Sequence, residues 1–478
     1  MRQYSWILPA SSEVLSMLRI TGPSVPLCDG ISRREWLRVG GLGLGALSLP
    51  GLLRARAAGA AGKAKSAIVL YNTGGIAHHE TWDPKPDAPA EIRGAFGTIA
   101  TRTPGLRVGE LMPLTAGITD KVAVIRSMVT LDNAHSSSGY QMLTGVPHVP
   151  LNRENAKPGK PNDWPSFAAL VQALRPGRGG LPAAISMPQR IANNNGQDPW
   201  PGTDAGFLGR RNDPWFLDCD PSDPHFSLPG GDSKGGFHPD MIGQRRSLLE
   251  GVNRRAESLL SAAASSSFDL HAQRALDLVS GRQARVAFDM ERESDKVRDR
   301  YGRTKYGQCV LLARRLAEAG VSLVQVQWAN YDKAKPNGGG WDTHEKHNES
   351  IKGWLIPPTD LAFSALVTDL HERGMLEETL VCWISEFGHT PRFNPKGGRD
   401  HWGRVFSIAL AGGGIRGGTV LGASDKHAAE VLRDPVRPCD FLATVFHCLG
   451  HAPDTEVRDV ENRPLAISRG RVLTEILA

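Results

Sequence analysis

The residues with the most chemistry to offer lie between 341 and 402. Trp341-Asp342-Thr343-His344-Glu345-Lys346-His347 comes first. The apolar run Leu380–Ile384 then opens into Ser385-Glu386-Phe387-Gly388-His389-Thr390-Pro391, and Arg399-Asp400-His401-Trp402 follows. Three carboxylates (Asp342, Glu386, Asp400) and four imidazoles (His344, His347, His389, His401) thus fall at or near the ends of expected strands. Hard oxygen and borderline nitrogen donors at that density suit one or two divalent metal ions. The donor set does not distinguish Zn, Mn, Mg or Ca.

A second group of candidates lies earlier in the chain. Ser66–Asn72 reads as a buried strand that stops at Gly74-Gly75 and gives Ile76-Ala77-His78-His79-Glu80-Thr81-Trp82-Asp83. In a parallel α/β sheet, ligands collect beyond the carboxyl ends of strands, which makes Glu80 a candidate ligand; a polar surface loop is the plain alternative. Val122–Ile125 reads as a second strand, leading to Asn133-Ala134-His135-Ser136-Ser137-Ser138-Gly139-Tyr140. Hydroxyls and an imidazole at a helix start would sit where exposed N–H groups and the dipole favour an anion or a nucleophile. Simple N-capping by serine would need no chemistry.

These groups need a scaffold, and the pattern supplies one. Strands are expected at Ala183–Met187, Ser322–Trp328, Thr379–Ile384 and Phe406–Leu410. Helices are expected within Asn162–Leu174, across the Arg/Glu-laced stretch 241–320, at Asp440–Leu449, and over Ser350–Arg373 with an interruption near Pro357-Pro358. Strands alternating with helices indicate an α/β fold with a mainly parallel sheet. Residues 147 to 240 are rich in Pro, Gly, Asn and Trp, including Asn193-Asn194-Asn195-Gly196, and read as a loop-rich cap or insertion within a single domain spanning 58–478.

Composition narrows the class. The 478-residue chain is 40% hydrophobic and 22% charged, as globular proteins are. Its formal net charge is +6, but residues 1–57 hold seven Arg against Glu13, Asp29 and Glu35, so the remainder is close to neutral and no nucleic-acid partner is indicated. Ser32-Arg33-Arg34-Glu35-Trp36-Leu37-Arg38, the Gly-rich apolar run Val39–Leu53 and Ala55-Arg56-Ala57 read together as a twin-arginine signal with a small-residue cleavage site. The expectation is recognition by the twin-arginine translocase, export to the periplasm or the extracellular space, and no stable membrane span after signal removal. Six cysteines are present: Cys28, Cys219, Cys309, Cys382, Cys439 and Cys448. They contain no CxxC, so neither a disulfide framework nor a Cys-based zinc site is expected, though one bridge involving Cys439 or Cys448 stays open.

Several motifs occur together in a recognisable order. They are the twin-Arg signal, the Gly74-Gly75…His78…Glu80-Thr81-Trp82-Asp83-Pro84-Lys85-Pro86 stretch, Leu143-Thr144-Gly145-Val146-Pro147-His148, Leu312-Ala313-Arg314-Arg315-Leu316, Gly339-Gly340-Trp341-Asp342-Thr343-His344, Ser385-Glu386-Phe387-Gly388 and Gly398-Arg399-Asp400-His401-Trp402. In these the chain resembles a bacterial family known as domain of unknown function 1501, which belongs to the alkaline phosphatase-like superfamily with the sulfatases. The resemblance implies a three-layer sandwich with helices on both faces of a mainly parallel sheet. It also implies a metal-dependent hydrolase of sulfate or phosphate esters, acting on an anionic ester for which a sulfated polysaccharide is one candidate.

Carried over by motif, metal ligands fall on Glu80, Asp342, His344 or His347, Glu386 and His401. His389 is a geometric substitute for the usual histidine, because Phe387 follows Glu386. The nucleophile position falls on His135 with Ser136 beside it, and Arg399 or Arg392 would hold the oxygens of the tetrahedral anion. The rival expectation is a non-catalytic cell-envelope binding or assembly protein that keeps the fold with a degraded site. His79 and His148 read as loop histidines, and Trp341 and Trp402 as packing walls rather than a sugar platform.

Overall fold

The computed structural model describes residues 62, 64–193, 198–227 and 281–478. The expected twin-arginine segment, Cys28, Asn194-Asn195-Gly196 and the first part of the expected helical stretch lie outside the described residues. At the centre is an eight-stranded sheet. Its strands are β1 (Ser66–Tyr71), β2 (Val122–Met128), β3 (Ala184–Met187), β4 (Trp215–Phe216), β5 (Leu323–Gln327), β6 (Thr379–Ile384), β7 (Phe406–Ala411) and β8 (Val420–Leu421). The order across the sheet is β8-β2-β7-β6-β1-β5-β3-β4. β7 runs antiparallel to both β6 and β2, while every other pairing is parallel. The carboxyl ends of β1, β2, β5 and β6 therefore share one edge.

Strand residues are buried on both faces, and period-two alternation sorts them into two cores. Ile68, Leu70, Val324, Val326, Val381 and Trp383 face one core, shared with helices α3 (Lys305–Glu318) and α4 (Ile356–Glu372). Val69, Tyr71, Leu323, Leu380, Cys382 and Ile384 face the other, shared with α1 (His135–Thr144), α2 (Phe167–Leu174) and α5 (Pro438–Cys448). The result is the expected α/β three-layer sandwich, with one antiparallel strand that the sequence pattern did not announce. An apolar run such as FSIALA reads the same in either direction.

The expected interruption near Pro357-Pro358 is a π-helical turn (Ile351–Leu355), after which α4 restarts at Ile356 with both prolines in its first turn. Within residues 147–227 the expected helix and strand form as α2 and β3, and β4 adds a short strand at the sheet edge. All five described cysteines are free, so no bridge forms among them. No helix among the described residues is long and apolar enough to cross a membrane.

Candidate metal centre

The carboxyl edge of the sheet carries the site. β1 ends in a turn at Gly74-Gly75, with φ of 117° and 96°. Both glycines are required there. A Cβ on Gly74 would meet the Asp342 amide nitrogen at 2.5 Å, and one on Gly75 would meet His389 Nε2 at 2.9 Å. The turn donates Gly74 N–H to Glu386 Oε1 at 2.7 Å, just beyond β6. The segment 394–400 is laid along 343–347 by the bonds Arg399 N–H to Thr343 O (3.0 Å) and Asn394 Nδ2 to His344 O (2.9 Å). That brings Asp400 and His401 against His344.

Three donor atoms converge at the result. Asp342 Oδ1 lies 2.9 Å from His344 Nε2 and 2.8 Å from His401 Nε2, and the two ring nitrogens are 3.0 Å apart. The far nitrogen of each ring is already held. His344 Nδ1 is 2.7 Å from Asp400 Oδ1, and His401 Nδ1 is 2.7 Å from the Asn133 carbonyl oxygen. Both acceptors lie against the Nδ1 of their ring, so the two Nε2 atoms face one another and a carboxylate oxygen. A shared proton or a metal ion among the three satisfies that arrangement. The donor set fits a metal ion, with a carboxylate and a carbonyl orienting the histidines from behind. Ligands about 2.0–2.1 Å from a tetrahedral zinc sit about 3.3 Å apart, so the three atoms need spread by only a few tenths of an ångström.

His135, at the start of α1, closes the other side. Its Nδ1 is 2.9 Å from Glu386 Oε1 and its Nε2 is 3.1 Å from Asp342 Oδ2. Burial opposes the charged ring, but the two carboxylates outweigh it and push its pKa up to about 10. His344 is raised to about 9, chiefly by its bond to Asp342, with burial opposing and Asp400 adding. Asp342 is pulled well below the carboxylate range, since its three histidine partners overcome burial. The centre opens outward: the side chains of His344, Asp342 and Asp400 are 43%, 35% and 51% exposed. Glu386 is fully buried beneath it.

Other expected site residues are placed elsewhere. Glu80 faces Arg399 in a buried pair, with Glu80 Oε1 2.6 Å from Arg399 Nη2 and 3.1 Å from Nε. Burial works against the Glu80 carboxylate, yet Arg399 and then His347 hold its pKa well below the usual range. His347 Nε2 is 3.3 Å from Glu80 Oε2, near enough for attraction but misaligned for a hydrogen bond. His347 Nδ1 meets Thr343 Oγ1 at 2.6 Å, and burial lowers the pKa of this ring. His389 lies opposite His401 in a two-residue antiparallel ladder, tucked under the glycine turn with Nε2 3.3 Å from Gly74 O. Burial lowers its pKa strongly. Ser136 is fully buried; its hydroxyl donates to Arg153 O (2.8 Å) and accepts from Ala156 N–H (2.9 Å). Arg392 is exposed beside Glu91 at 3.2 Å.

Glu154 was not foreseen. It accepts the His135 amide N–H at 2.6 Å, a role expected of serine at this helix start. Its carboxylate also groups with His135 and His401 at ligand-like separations, as Asp342, His344 and His401 do. It lies in an Asn- and Pro-rich stretch without periodicity, so spacing gave no signal. His79 and His148 are buried, each bonded through the ring to a backbone carbonyl (His427 and Pro150). Trp341 is fully buried against Trp328, which makes it a wall.

Solved structures with a likeness to this chain include a sulfatase, PsFucS1, from Pseudoalteromonas sp., at 14% identity and a TM-score of 0.37 over 90% of this chain and 73% of that one. A phosphonate monoester hydrolase from Silicibacter pomeroyi shares 11% identity at 0.36, covering 86% and 76%. A protein of the alkaline phosphatase superfamily from Vibrio parahaemolyticus shares 12% at 0.38, covering 87% and 71%. No curated protein matches the sequence. The model of one family, described as protein of unknown function (DUF1501), matches residues 64–477, and the chain belongs to that family.

Proposed function

We propose that this protein is a hydrolase of phosphate or sulfate esters that works with a single divalent ion held by Asp342, His344 and His401. The observation that supports it is the convergence of Asp342 Oδ1 and two Nε2 atoms within 3.0 Å, each ring oriented from behind. A divalent ion bound there supplies Lewis acidity to an ester oxygen and lowers the pKa of water beside it. Asp400 and the Asn133 carbonyl keep His344 and His401 in the ligating tautomer. His135 holds a proton at Nδ1 toward Glu386, and its ring braces the second oxygen of Asp342. The exposed Arg153 is the candidate for gripping the anion. Its carbonyl and amide are fixed to Ser136 and Ser137 on the first turn of α1, next to His135.

The reading narrows the expectation of one or two ions to one, because Glu80 is paired with Arg399 rather than with the cluster. The signal motif at Ser32-Arg33-Arg34 supports export by the twin-arginine pathway to the periplasm or beyond, with the ion loaded before transit. The test is a panel of aryl phosphates and aryl sulfates on the metal-loaded protein. Turnover of one ester class that His401→Ala abolishes supports the reading; metal binding without turnover of either class removes it.

A second reading is a metal-dependent binding protein without catalysis. It is favoured by the commitment of the Ser136 hydroxyl to the 153–156 loop and of Arg399 to Glu80, so neither faces the cluster. The same panel separates the two.

A further inference from the structure

The structure holds a cavity of about 210 Å³ that the hydrolase reading does not use. It sits at the carboxyl ends of β3, β4 and β5, on the sheet face that carries α2, with Leu143 of α1 and Ser166 before α2 in its walls. The crevice beyond strand ends is where α/β sheets bind ligands. What sets this one apart is its chemistry.

β5 buries Gln325 and Gln327, 4% and 3% exposed, with Val69 and Tyr71 of β1 beside them and Ser186 of β3 paired with Gln325. Two buried amides on a central strand are expensive unless partnered. In the amide orientation that satisfies both of its ends, Gln327 accepts from Ser186 Oγ (2.9 Å) and from Gln325 Nε2 (3.0 Å) and donates to Gln189 O (2.9 Å). That network engages Gln325 through Nε2, and both glutamines line the cavity. Opposite, the Arg190 guanidinium lies 4.4 Å from the Phe216 ring centroid. Stacking fixes its plane without consuming its N–H donors. Asp204 and Asp213 also line the space, each giving one oxygen to a backbone N–H of the 205–206 turn. Trp215 and Phe216 add aromatic surface.

We infer that this cavity binds a single monosaccharide ring bearing an acidic substituent, its hydroxyls on Gln325 and Asp204, its acid on Arg190, and its C–H face on the aromatic wall. A lining of one charge sign would select an ion. Here amide, guanidinium, carboxylate and hydroxyl groups surround aromatic rings, which suits a ligand that offers many donors and acceptors around an apolar ring face. The volume lies below the ~300–1,000 Å³ of drug-sized sites and admits one small ring.

Trp200 links the cavity wall to His135, the ring that braces Asp342. Trp200 stacks on His135 with ring centroids 5.9 Å apart, packed where Gly139 leaves room. Its carbonyl accepts from Thr203 Oγ1 at 2.8 Å and its N–H donates to Ile191 O, and Thr203 and Ile191 both line the cavity. The path from cavity to centre thus runs through Trp200 and His135 to the ligand Asp342.

The inference stands apart from the hydrolase reading, so its test uses metal-free protein. Calorimetric titration of the purified full-length chain with glucose, galactose, glucuronate and galacturonate should give one-to-one binding of a uronate with a dissociation constant near or below ~1 mM. Gln325→Leu should weaken that binding tenfold or more, and Arg190→Ala, a surface change, should reduce uronate affinity to that of the neutral sugar. His401→Ala should leave it unchanged. Failure of every sugar to saturate, or uronate binding that survives Arg190→Ala, overturns the inference without touching the metal centre.

Discussion

Arg399→Met is the substitution that separates a structural from a chemical role for this guanidinium. Arg399 and Glu80 are 0% and 1% exposed, and the pair is joined at 2.6 Å. Removing the cation alone strands a carboxylate in the interior, and one-sided loss of a buried pair costs about 3–5 kcal/mol. The guanidinium also donates to the carbonyls of Thr390 (3.0 Å), Pro391 (2.5 Å) and Ile92 (2.7 Å), and it stacks 4.1 Å from the Phe393 ring. Those losses place the expected cost at the upper end, about 5 kcal/mol, a large share of a typical domain stability of ~5–15 kcal/mol. Adding Glu80→Gln removes the stranded charge and should return at least ~1 kcal/mol as coupling. Urea denaturation followed by circular dichroism, in chelator so that bound ions add nothing, gives both numbers. A variant within ~0.5 kcal/mol of wild type that nonetheless loses ester turnover would refute the structural role and put Arg399 on the substrate.

Other outcomes follow from the same geometry. Asp400→Asn keeps the size of the acceptor behind His344 but removes its charge, so metal affinity should fall about 10–100-fold, read by competition with a fluorescent chelator; an unchanged affinity would detach Asp400 from the centre. Gly74→Ala forces a Cβ to 2.5 Å from the Asp342 amide at φ 117°, and it should cost the protein its metal before its fold, seen as lost metal with retained circular dichroism. Glu80 has a folded pKa below its unfolded value near ~4.3, so its stabilisation is full above that value and is lost as pH falls below it. Glu80→Gln should therefore flatten the stability profile between about pH 5 and pH 3, and an unaltered slope would show that Glu80 is not held ionised by Arg399.

The sequence pattern carries the architecture well because strand runs such as SAIVLY and TLVCWI are short, apolar and bounded by glycine or polar turns. It carries the site unevenly. Asp342, His344 and His401 lie in motifs at strand ends, and the fold brings them together. Glu80 and Arg399 are 319 positions apart, and nothing local says that one neutralises the other. Ser136 and Glu154 exchange the roles their types suggest: the hydroxyl anchors a loop while the distant carboxylate takes the helix N–H. Such swaps depend on where the loop 147–160 folds back, and neither its composition nor its length encodes that. The direction of β7 is equally silent, being fixed by the return of the chain after the His401 ladder.

The most direct test of the account is the metal content of the purified protein. Elemental analysis should find one equivalent of a divalent metal per chain, lost in both Asp342→Ala and His401→Ala and retained in Glu80→Gln. Two equivalents, or one that disappears with Glu80→Gln, would contradict the single-ion centre, and less than a tenth of an equivalent after loading with each candidate ion would remove it altogether.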